Sequence, residues 1–312
     1  MRPLTDITVI GSLNADLVQS VDRLPAAGET ILGGGLQVFS GGKGANQAFA
    51  AGRMGARVNM IGQLGNDSLA PLLLASLRAA GVNTEAVGKT DVSTGAAVIL
   101  VLPGGENVIV ISPGANATVT PELATDRLRA LGEGSYLLSQ LEIPIESVEQ
   151  ALAAAKARNA TTILDPAPAR PLSSGLLGKV DFLTPNETEI ATLLGEPNLS
   201  TDADAELATA AGQLLDLGPR AVVLKLGARG CMVATRGGSF RAPGFKVPAV
   251  DTTAAGDVFN GAFATALAEG RAVREAARFA NAAAALSTTR PGAQASVPSR
   301  PQVDRFLSEA TA

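Results

Sequence analysis

Apolar and polar positions along the chain alternate in blocks that predict strands and helices in turn. Short apolar runs predict strands, and longer segments with apolar residues three or four positions apart predict helices. The predicted strands cover residues 7–11, 57–62, 136–140, 161–164, 181–184 and 221–226. The predicted helices cover a segment ending near residue 55 and residues 67–80, 145–158, 187–194, 203–217, 257–269 and 272–288. Regular alternation of this kind predicts a parallel sheet with helices on both faces.

Two segments interrupt this alternation and predict a second, smaller sheet. Residues 29–39 alternate in polarity around Gly33, Gly34 and Gly35, which indicates a small strand pair outside the main sheet. Apolar runs at 93–102 and 106–111 flank a Pro-Gly-Gly turn and predict a β-hairpin. We expect these parts, about residues 13–39 and 93–112, to cover one side of a pocket. No linker divides the chain, so we expect one domain over residues 1–312.

Composition narrows the classes of partner and compartment. Of the 312 residues, 46% are hydrophobic but only 3% are aromatic, so the core must be built from Ala, Val, Leu and Ile. The net charge is −4 and no basic block stands out, so neither nucleic acid nor a membrane surface is an expected partner. The single cysteine, Cys231, rules out an internal disulfide and allows a reducing compartment. With no signal-like N-terminus, we expect a cytoplasmic protein.

The chain contains no histidine. This excludes a Ser-His-Asp triad, a Cys-His pair and the helical His zinc motif. Any catalysis must therefore depend on carboxylates, Lys or Arg, backbone N–H groups, or a hard cation held by oxygen ligands.

One stretch is suited to binding negative charge. Small residues at 252–256 precede an apolar helical pattern that begins at Val258. Free N–H groups at the start of a helix, together with the helix dipole, favour a phosphate. Asp257 lies in the first turn, where it is either a dipole-stabilising acid or a base directed at the bound group.

Other polar residues follow predicted strands, where ligands bind in open α/β sheets. Asn14 and Asp16 could hold hydroxyl groups or form an Asx turn. The glycine turn at residues 40–46 contains Lys43 and Asn46, and it is either a site or a simple helix entry; it is not a Walker A loop. Asn186 and Glu189 could hold hydrated Mg²⁺, although helix capping is slightly favoured. Lys225 could bind a ligand or simply end a strand at the surface.

Four motifs carry a resemblance to a known family. They are GSLNAD at 11–16, GGKGANQ at 41–47, TPNETE at 184–189 and DTTAAGD at 251–257. In order and over about residues 6–308, they resemble the ribokinase family within the larger group of sugar and nucleoside kinases. The resemblance implies a ribokinase-like α/β fold, with a central, mostly parallel, Rossmann-like sheet flanked by helices and a small β-sheet lid.

The resemblance also implies an activity, the transfer of the γ-phosphoryl group of ATP to the 5-hydroxyl of D-ribose. Asp257 would be the base, and the backbone amides of Ala254, Ala255, Gly256 and Asp257 would form the anion hole. Such a base does not require a raised pKa, because the proton leaves late in a loose transition state. Two lids are expected to pair in a homodimer, which would cover their exposed edges.

The same resemblance implies ligand sets. The ribose ligands would be Asn14, Asp16, Gly42, Lys43, Asn46, Glu142 and Asp257. The nucleotide ligands would be Asn186, Lys225, Leu226, Gly227, Ala228, Arg229, Gly230, Gly256 and Asn281. Mg²⁺ would lie near Asn186 and Glu189 and be reached through water, and K⁺ would be bound by Asp251, Thr253, Ser287, Arg290, Gly292 and Ser296.

Departures from the family pattern leave alternatives open. Lys225 stands where a small hydroxyl residue can occur, and Asn281 stands where a close relative has His. A kinase for another small sugar, for deoxyribose or for a nucleoside is an alternative, although one Tyr and no Trp disfavour stacking of a nucleoside base. A non-catalytic sensor with the same fold is a further alternative.

Overall fold

The computed structural model describes residues 6–201 and 203–310. In chain order the strands are β1 (Ile7–Ile10), β2 (Asn14–Ser20), β3 (Gln37–Gly41), β4 (Val58–Gly65), β5 (Val82–Asn83), β6 (Val87–Thr90), β7 (Gly95–Val101), β8 (Asn107–Ser112), β9 (Tyr136–Ser139), β10 (Thr161–Leu164), β11 (Phe182–Leu183), β12 (Ala221–Lys225), β13 (Cys231–Thr235) and β14 (Gly238–Ala242). The α-helices are α1 (Lys43–Arg53), α2 (Ala70–Ala79), α3 (Pro121–Arg127), α4 (Ile145–Lys156), α5 (Ser174–Leu177), α6 (Glu187–Leu194), α7 (Asp204–Asp216), α8 (Ala255–Ala268), α9 (Val273–Ser287) and α10 (Arg300–Glu309).

The large sheet has the strand order β14-β13-β12-β11-β10-β9-β1-β4-β5, and β6 pairs with β4. The strands from β12 through β1 to β4 pair in parallel, as the alternating pattern predicts. The antiparallel end formed by β13 and β14 was not predicted, because the polar residues of β14 hide its strand character. The mixed α/β fold with a mostly parallel sheet is confirmed.

The small sheet, here called the lid, has the order β3-β2-β7-β8. The predicted hairpin is confirmed, since β7 and β8 pair in antiparallel fashion. The predicted strand pair within residues 29–39 is wrong in its bounds: β3 begins at Gln37, and its partner is β2. The three consecutive glycines at 33–35 weaken extended pairing, and the amide of Gly34 instead donates to the carbonyl of Ser20. Because β2 begins at Asn14, Asn14 and Asp16 lie within a strand rather than in an Asx turn.

The core lies on both faces of the large sheet, and residues of each strand alternate between the two faces. Val9 contacts the cluster under α1, α8 and α9, whereas Ile10 contacts the cluster under α4 and α7. Phenylalanines concentrate in the first cluster, where Phe182 and Phe263 meet edge to face with ring centroids 5.5 Å apart. The carboxyl ends of the parallel strands remain open at one edge of the sheet, next to the lid. Among the described helices, none is long and apolar enough to cross a membrane.

Candidate active site

The glycine turn before α1 brings the start of this helix against the loop between β1 and β2. Gly42 has φ +88°, and a Cβ there would lie 2.7 Å from the amide nitrogen of Asn14. A Cβ on Gly44 would lie 2.7 Å from the carbonyl carbon of Gly11. Any side chain at these positions would push the two segments apart. The glycines therefore allow the start of α1 to pack closely against this loop.

A cavity of about 710 Å³, here called the sugar cavity, opens between the lid and the large sheet. It contains every residue of the predicted ribose set: Asn14, Asp16, Gly42, Lys43, Asn46, Glu142 and Asp257. Apolar side chains of the lid, including Ile99, Ile109 and Ile111, form another wall. The structure thus brings together residues from both ends of the chain in a cleft with polar and apolar walls, as a small sugar requires.

Polar side chains of the sugar cavity are held by neighbours before any ligand binds. The Asn116 side-chain nitrogen donates to Asn14 Oδ1 at 2.7 Å, so the side-chain nitrogen of Asn14 remains available as a donor. The backbone amide of Lys43 donates to Glu142 Oε2 at 3.0 Å. Burial, followed by the charges of Glu142 and Asp257, raises the pKa of Asp16 to about 6.

The helix that follows residues 252–254 begins as the sequence predicts, with Asp257 in its first turn. Ala254 has φ +58°, an uncommon value for alanine, and it ends the preceding turn. The amide of Ala255 donates to the carbonyl of Thr252 at 3.2 Å, so this member of the predicted anion hole is engaged in the turn. Among the described residues, no acceptor binds the amides of Ala254, Gly256 and Asp257. These three N–H groups can receive an anion.

Asp257 is buried, and both of its oxygens accept hydrogen bonds from α1. Asn46 Nδ2 donates to Oδ2 at 3.1 Å, and Gln47 Nε2 donates to Oδ1 at 3.1 Å. Burial raises the pKa of Asp257 to about 6; Lys43 opposes this shift and Asp165 adds to it. A base for phosphoryl transfer does not require a raised pKa, but one that titrates near 6 is still mainly ionised at neutral pH. A carboxylate in this state can accept a proton.

Asp257 also borders a second cavity of about 430 Å³, here called the phosphate cavity. The amides at the start of α8, Asn186 and Glu189 at the start of α6, and the lysines Lys43 and Lys225 line it. Burial works against the charge of Lys43, but the carboxylates of Asp257, Asp165 and Glu142 outweigh it and raise the Lys43 pKa. Cationic and amide donors thus face acidic side chains across this cavity.

Lys225 does not simply end its strand at the surface, which was one of the two interpretations of its sequence. Its side chain is 11% exposed, and Nζ contacts Asp165 Oδ1 at 2.7 Å and lies 3.9 Å from Glu189 Oε2. Lys225 ends β12 and Asp165 follows β10, so both side chains project from the carboxyl edge of the sheet. Lys225 Nζ also lies 3.5 Å from the position that a Cβ on Gly256 would occupy. The lysine is therefore next to the free amides of α8.

Asn186 and Glu189 form a complete capping box at the start of α6. Asn186 Oδ1 accepts from the backbone amide of Glu189 at 2.8 Å, and Glu189 Oε2 accepts from the backbone amide of Asn186 at 2.7 Å. Capping, the favoured interpretation, is thus present. Burial raises the pKa of Glu189, and Lys225 opposes the shift. Because Glu189 also faces the phosphate cavity, capping does not exclude an outer contact with a hydrated cation.

A third cavity of about 370 Å³, here called the nucleotide cavity, adjoins the start of α8. From the predicted nucleotide set, its lining includes Lys225, Gly227, Ala228, Gly230, Gly256 and Asn281. Leu226 instead lies in the core at 2% exposure, and the guanidinium of Arg229 turns away to bind the carbonyl of Thr201 at 2.7 Å and Glu187. Phe245, Val247 and Ala249 contribute apolar walls that the sequence analysis did not identify.

The residues predicted to bind K⁺ lie on the loop before α8, at the end of α9 and on the segment that follows α9. Asp251 accepts from the amide of Thr253 at 2.8 Å and from the amide of Gly292 at 2.7 Å. The Thr288 carbonyl, at the end of α9, accepts from the amide of Asp251 at 3.1 Å. Burial raises the pKa of Asp251, but these hydrogen bonds outweigh it and lower the pKa. The hydroxyls of Ser287 and Ser296 are buried and donate to local carbonyls. Arg290 lies on the segment after α9, and its amide donates to the carbonyl of Ser287.

Several residues that hold Asp257, Asn46 and Asn14 in place were not identified from the sequence. Gln47, Gln140 and Asp165 form a buried network behind Asp257. Gln294 donates to Asn46 Oδ1 at 3.2 Å, and Asn116 orients Asn14. Only Gln47 carried a sequence signal, since it ends the GGKGANQ motif. The partners of the others are distant in sequence.

The phosphate cavity shares lining residues with each of the other two cavities. Lys43, Ala254 and Asp257 line both the sugar and the phosphate cavities. Lys225, Gly227, Thr252, Ala255 and Gly256 line both the phosphate and the nucleotide cavities. A phosphoryl donor in one end of the cleft and a hydroxyl acceptor in the other would therefore meet at Asp257 and the start of α8.

Several known proteins are similar to this chain in sequence. The family model described as "pfkB family carbohydrate kinase" matches residues 4–300. The chain is 41% identical to a ribokinase of Haemophilus influenzae, over 97% of this chain and 99% of that protein. It is 40% identical to a Bacillus subtilis ribokinase over 98% of this chain and 100% of that protein. Identity to a deoxyribokinase of Salmonella typhimurium is 36%, over 97% and 99% of the two chains.

Solved structures of ribokinases are also similar to this chain in fold. A ribokinase from Thermotoga maritima superposes with a TM-score of 0.88 at 41% identity, covering 97% of this chain and 99% of that one. An Arabidopsis thaliana ribokinase complexed with ribose and ATP superposes with a TM-score of 0.89 at 33% identity, covering 98% and 99% of the two chains.

Proposed function

Because the chain belongs to the pfkB family of carbohydrate kinases, we propose that it is a ribokinase, which phosphorylates D-ribose at O5 with ATP to give D-ribose 5-phosphate. The observation that carries this proposal is that the phosphate cavity shares Asp257 with the sugar cavity and Gly256 with the nucleotide cavity. The ribokinases described above, one of them solved with ribose and ATP, support it.

In the proposed reaction, Asp257 accepts the proton of the sugar hydroxyl as the oxygen attacks the γ-phosphorus. Asn46 and Gln47 hold the carboxylate, so little reorientation is needed. The free amides of Gly256 and Asp257, with the positive end of the α8 dipole, face the transferred phosphoryl group and stabilise its charge. Lys43 and Lys225 add positive charge at the same place. Positioning and charge stabilisation together supply most of the catalysis.

The sugar is assigned by the polar groups of the sugar cavity. Asp16, Glu142 and Asp257 are acceptors for hydroxyl groups, and the free amide nitrogen of Asn14 is a donor. A furanose with several hydroxyls can pair with the hydrogen-bonding capacity that these groups retain, which would otherwise be left unsatisfied at a cost in free energy once water is excluded. Deoxyribose and other small sugars are alternatives, supported by the similarity to a deoxyribokinase. A nucleoside is a further alternative, but no Trp or Tyr lines the sugar cavity to stack a base.

A coupled ADP-release assay over a panel of acceptors tests the proposal. Ribose should give the highest kcat/KM among ribose, deoxyribose, fructose and adenosine. A higher value for another acceptor would replace ribose by that compound. If no acceptor is turned over, a non-catalytic sensor would be favoured, although Asp257 and the free α8 amides are all present.

Magnesium is proposed to arrive with the nucleotide. Among the described residues, no group of three or more His, Cys, Asp or Glu side chains could hold a metal ion. Mg²⁺ commonly retains waters and binds phosphates together with one or two carboxylates. Glu189 in the phosphate cavity fits such an outer contact, while the oxygen of Asn186 is engaged in capping. When bound, the ion would neutralise charge on the phosphates.

A K⁺ site at Asp251 is also proposed. The carboxylate and nearby carbonyls are hard oxygen donors, and the lowered pKa of Asp251 keeps it ionised. Asp251 connects the loop before α8 to Gly292. A cation there would hold the start of α8 in place, so turnover should rise with K⁺ at constant ionic strength. Equal rates in K⁺ and in tetramethylammonium would contradict this site.

The lid is proposed to form a homodimer contact. Strand β8 is an edge strand whose residues are exposed, and Ile109, Val110 and Ile111 are 50%, 65% and 53% exposed. Exposed apolar edge strands tend to pair with another chain. Light scattering at micromolar concentration should give the mass of two chains, and a monomeric mass would contradict the proposal.

A further inference from the structure

Gln47 is a buried side chain that the proposed reaction does not use directly. It is 1% exposed and does not line the sugar, phosphate or nucleotide cavity. Its Nε2 donates to Asp257 Oδ1 at 3.1 Å and to Asp165 Oδ2 at 2.9 Å. Its Oε1 accepts from Gln140 Nε2 at 2.7 Å. Both amide protons and the amide oxygen are therefore engaged.

These partners permit only one orientation of the Gln47 amide. Ionised carboxylates accept hydrogen bonds and cannot donate them. A flipped amide would place its oxygen against both Asp257 and Asp165, and its nitrogen against the donor nitrogen of Gln140. The amide is therefore fixed by three side chains from different parts of the chain.

The second carboxylate bound by Gln47 belongs to an ion pair in the phosphate cavity. Asp165 Oδ1 contacts Lys225 Nζ at 2.7 Å, and Asp165 is 2% exposed. Lys225 lines both the phosphate and the nucleotide cavities. Gln47 thus stands between the carboxylate that faces the sugar and the ion pair that faces the phosphates. Its NH₂ group separates two buried negative charges.

We infer that Gln47 is a positioning residue that fixes the carboxylate of Asp257 and links it to the Asp165–Lys225 ion pair. The inference rests on the proposed function, in which Asp257 is the base. Without Gln47, Asp257 would keep only the Asn46 hydrogen bond on its other oxygen, so its carboxylate could rotate about that contact. The expected defect is in turnover rather than in substrate binding, because Gln47 lies behind the cavities.

The main test is Gln47→Met, which keeps the length of the side chain and removes both donors. We expect kcat to fall on the order of 10- to 100-fold, as for a misplaced catalytic group, with the KM values for ribose and ATP changed less than about twofold. The matched control is Gln63→Met, at another buried glutamine, on β4, which lines none of the three cavities. An unchanged kcat in Gln47→Met, or an equal fall in Gln63→Met, would overturn the inference.

Gln140→Met provides a second variant should Gln47→Met fold poorly. It removes only the donor that orients the Gln47 amide, so kcat should fall in the same direction by a smaller factor. Full wild-type turnover in a folded Gln140→Met protein, together with failure of Gln47→Met to fold, would mean that the network is structural.

A ligand-free measurement separates this inference from the proposed function. In protein labelled with ¹³C at aspartate carboxyls, the Asp257 signal can be assigned by its loss in Asp257→Asn and then titrated. Wild-type Asp257 should titrate near 6, and loss of the Gln47 donor should move the titration of Gln47→Met to higher pH. An unchanged titration would contradict the role of Gln47 even if no sugar were turned over. Failure of wild-type turnover alone would refute only the proposed function.

Discussion

The two ends of the cleft are built differently. At the sugar end, charged and amide side chains are buried and hold one another: Asn116 holds Asn14, and Asn46 and Gln47 hold Asp257. At the nucleotide end, glycines, alanines and apolar side chains form most of the walls, beside Lys225 and Lys246. Most of the energy of recognition at the sugar end must come from fixed side-chain hydrogen bonds, whereas the nucleotide end depends on shape and backbone groups. Single substitutions should therefore have larger effects at the sugar end.

The largest expected effect is that of Asp257→Asn, at the inner end of the sugar cavity. This change removes the proton acceptor but preserves size, so kcat should fall on the order of 10²- to 10⁴-fold. Binding of ribose and of an ATP analogue, measured by calorimetry, should change little. Near-wild-type turnover would mean that Asp257 is not the base.

The next effect is that of pH. The pKa of Asp257 is raised to about 6 by burial, so the active, ionised form is lost as the pH falls through that value. Turnover should decrease about tenfold per pH unit below 6. The raised pKa has the opposite consequence for folding: the free energy of unfolding that it contributes is present below the unfolded value of 3.8 and is lost as the pH rises through about 6. A kcat profile that is flat down to pH 4 would contradict the expected loss of turnover.

A smaller effect is expected for Asn116→Asp, since Asn116 lines the sugar cavity and orients Asn14. An aspartate would place an acceptor oxygen against Asn14 Oδ1, so the Asn14 amide should turn and offer the sugar its oxygen instead of its nitrogen. The KM for ribose should rise about tenfold, the value of roughly one hydrogen bond to a buried polar group, while the KM for ATP stays constant. Equal rises in both KM values would show that the two ends of the cleft are not independent.

The smallest effects are expected at the nucleotide end. Asn281→Ala should raise the KM for ATP only a few-fold, because the Asn281 side-chain nitrogen already donates to the carbonyls of Ala242 and Pro243. Arg229→Ala should change it by less than about twofold, because its guanidinium binds Glu187 and Thr201 outside the cavity. If Arg229→Ala has the larger effect, this end of the cleft depends on a charge that the structure directs elsewhere.

The same comparison explains what sequence could predict. The parallel sheet follows from apolar runs such as β10, and the glycine turn before α1 is visible because Gly42 and Gly44 admit no side chain. These features are local, so a short stretch of sequence contains them. The predicted ribose ligands do line a single cavity, but they were predicted only through motifs that resemble a family.

Features made by contacts between distant residues were missed or misread. Lys225 looked like a surface residue because its partner, Asp165, is 60 positions away. Gln47 and Asp257 are 210 positions apart, and nothing local indicates that they meet. Arg229 was grouped with its glycine-rich loop, although its side chain points to α6. The backbone geometry at Gly42 and Gly44 could be predicted from the local sequence. The pairing of side chains from distant parts of the chain could not.

A crystal structure with ribose and a non-hydrolysable ATP analogue tests the central claim most directly, namely that the two ends of the cleft meet at Asp257. The ribose 5-hydroxyl should lie within about 3.2 Å of an Asp257 carboxylate oxygen, and the terminal phosphate should contact the amides of Gly256 and Asp257. Ribose bound with its 5-hydroxyl turned away from Asp257, or a nucleotide bound outside the cavity beside α8, would contradict the account.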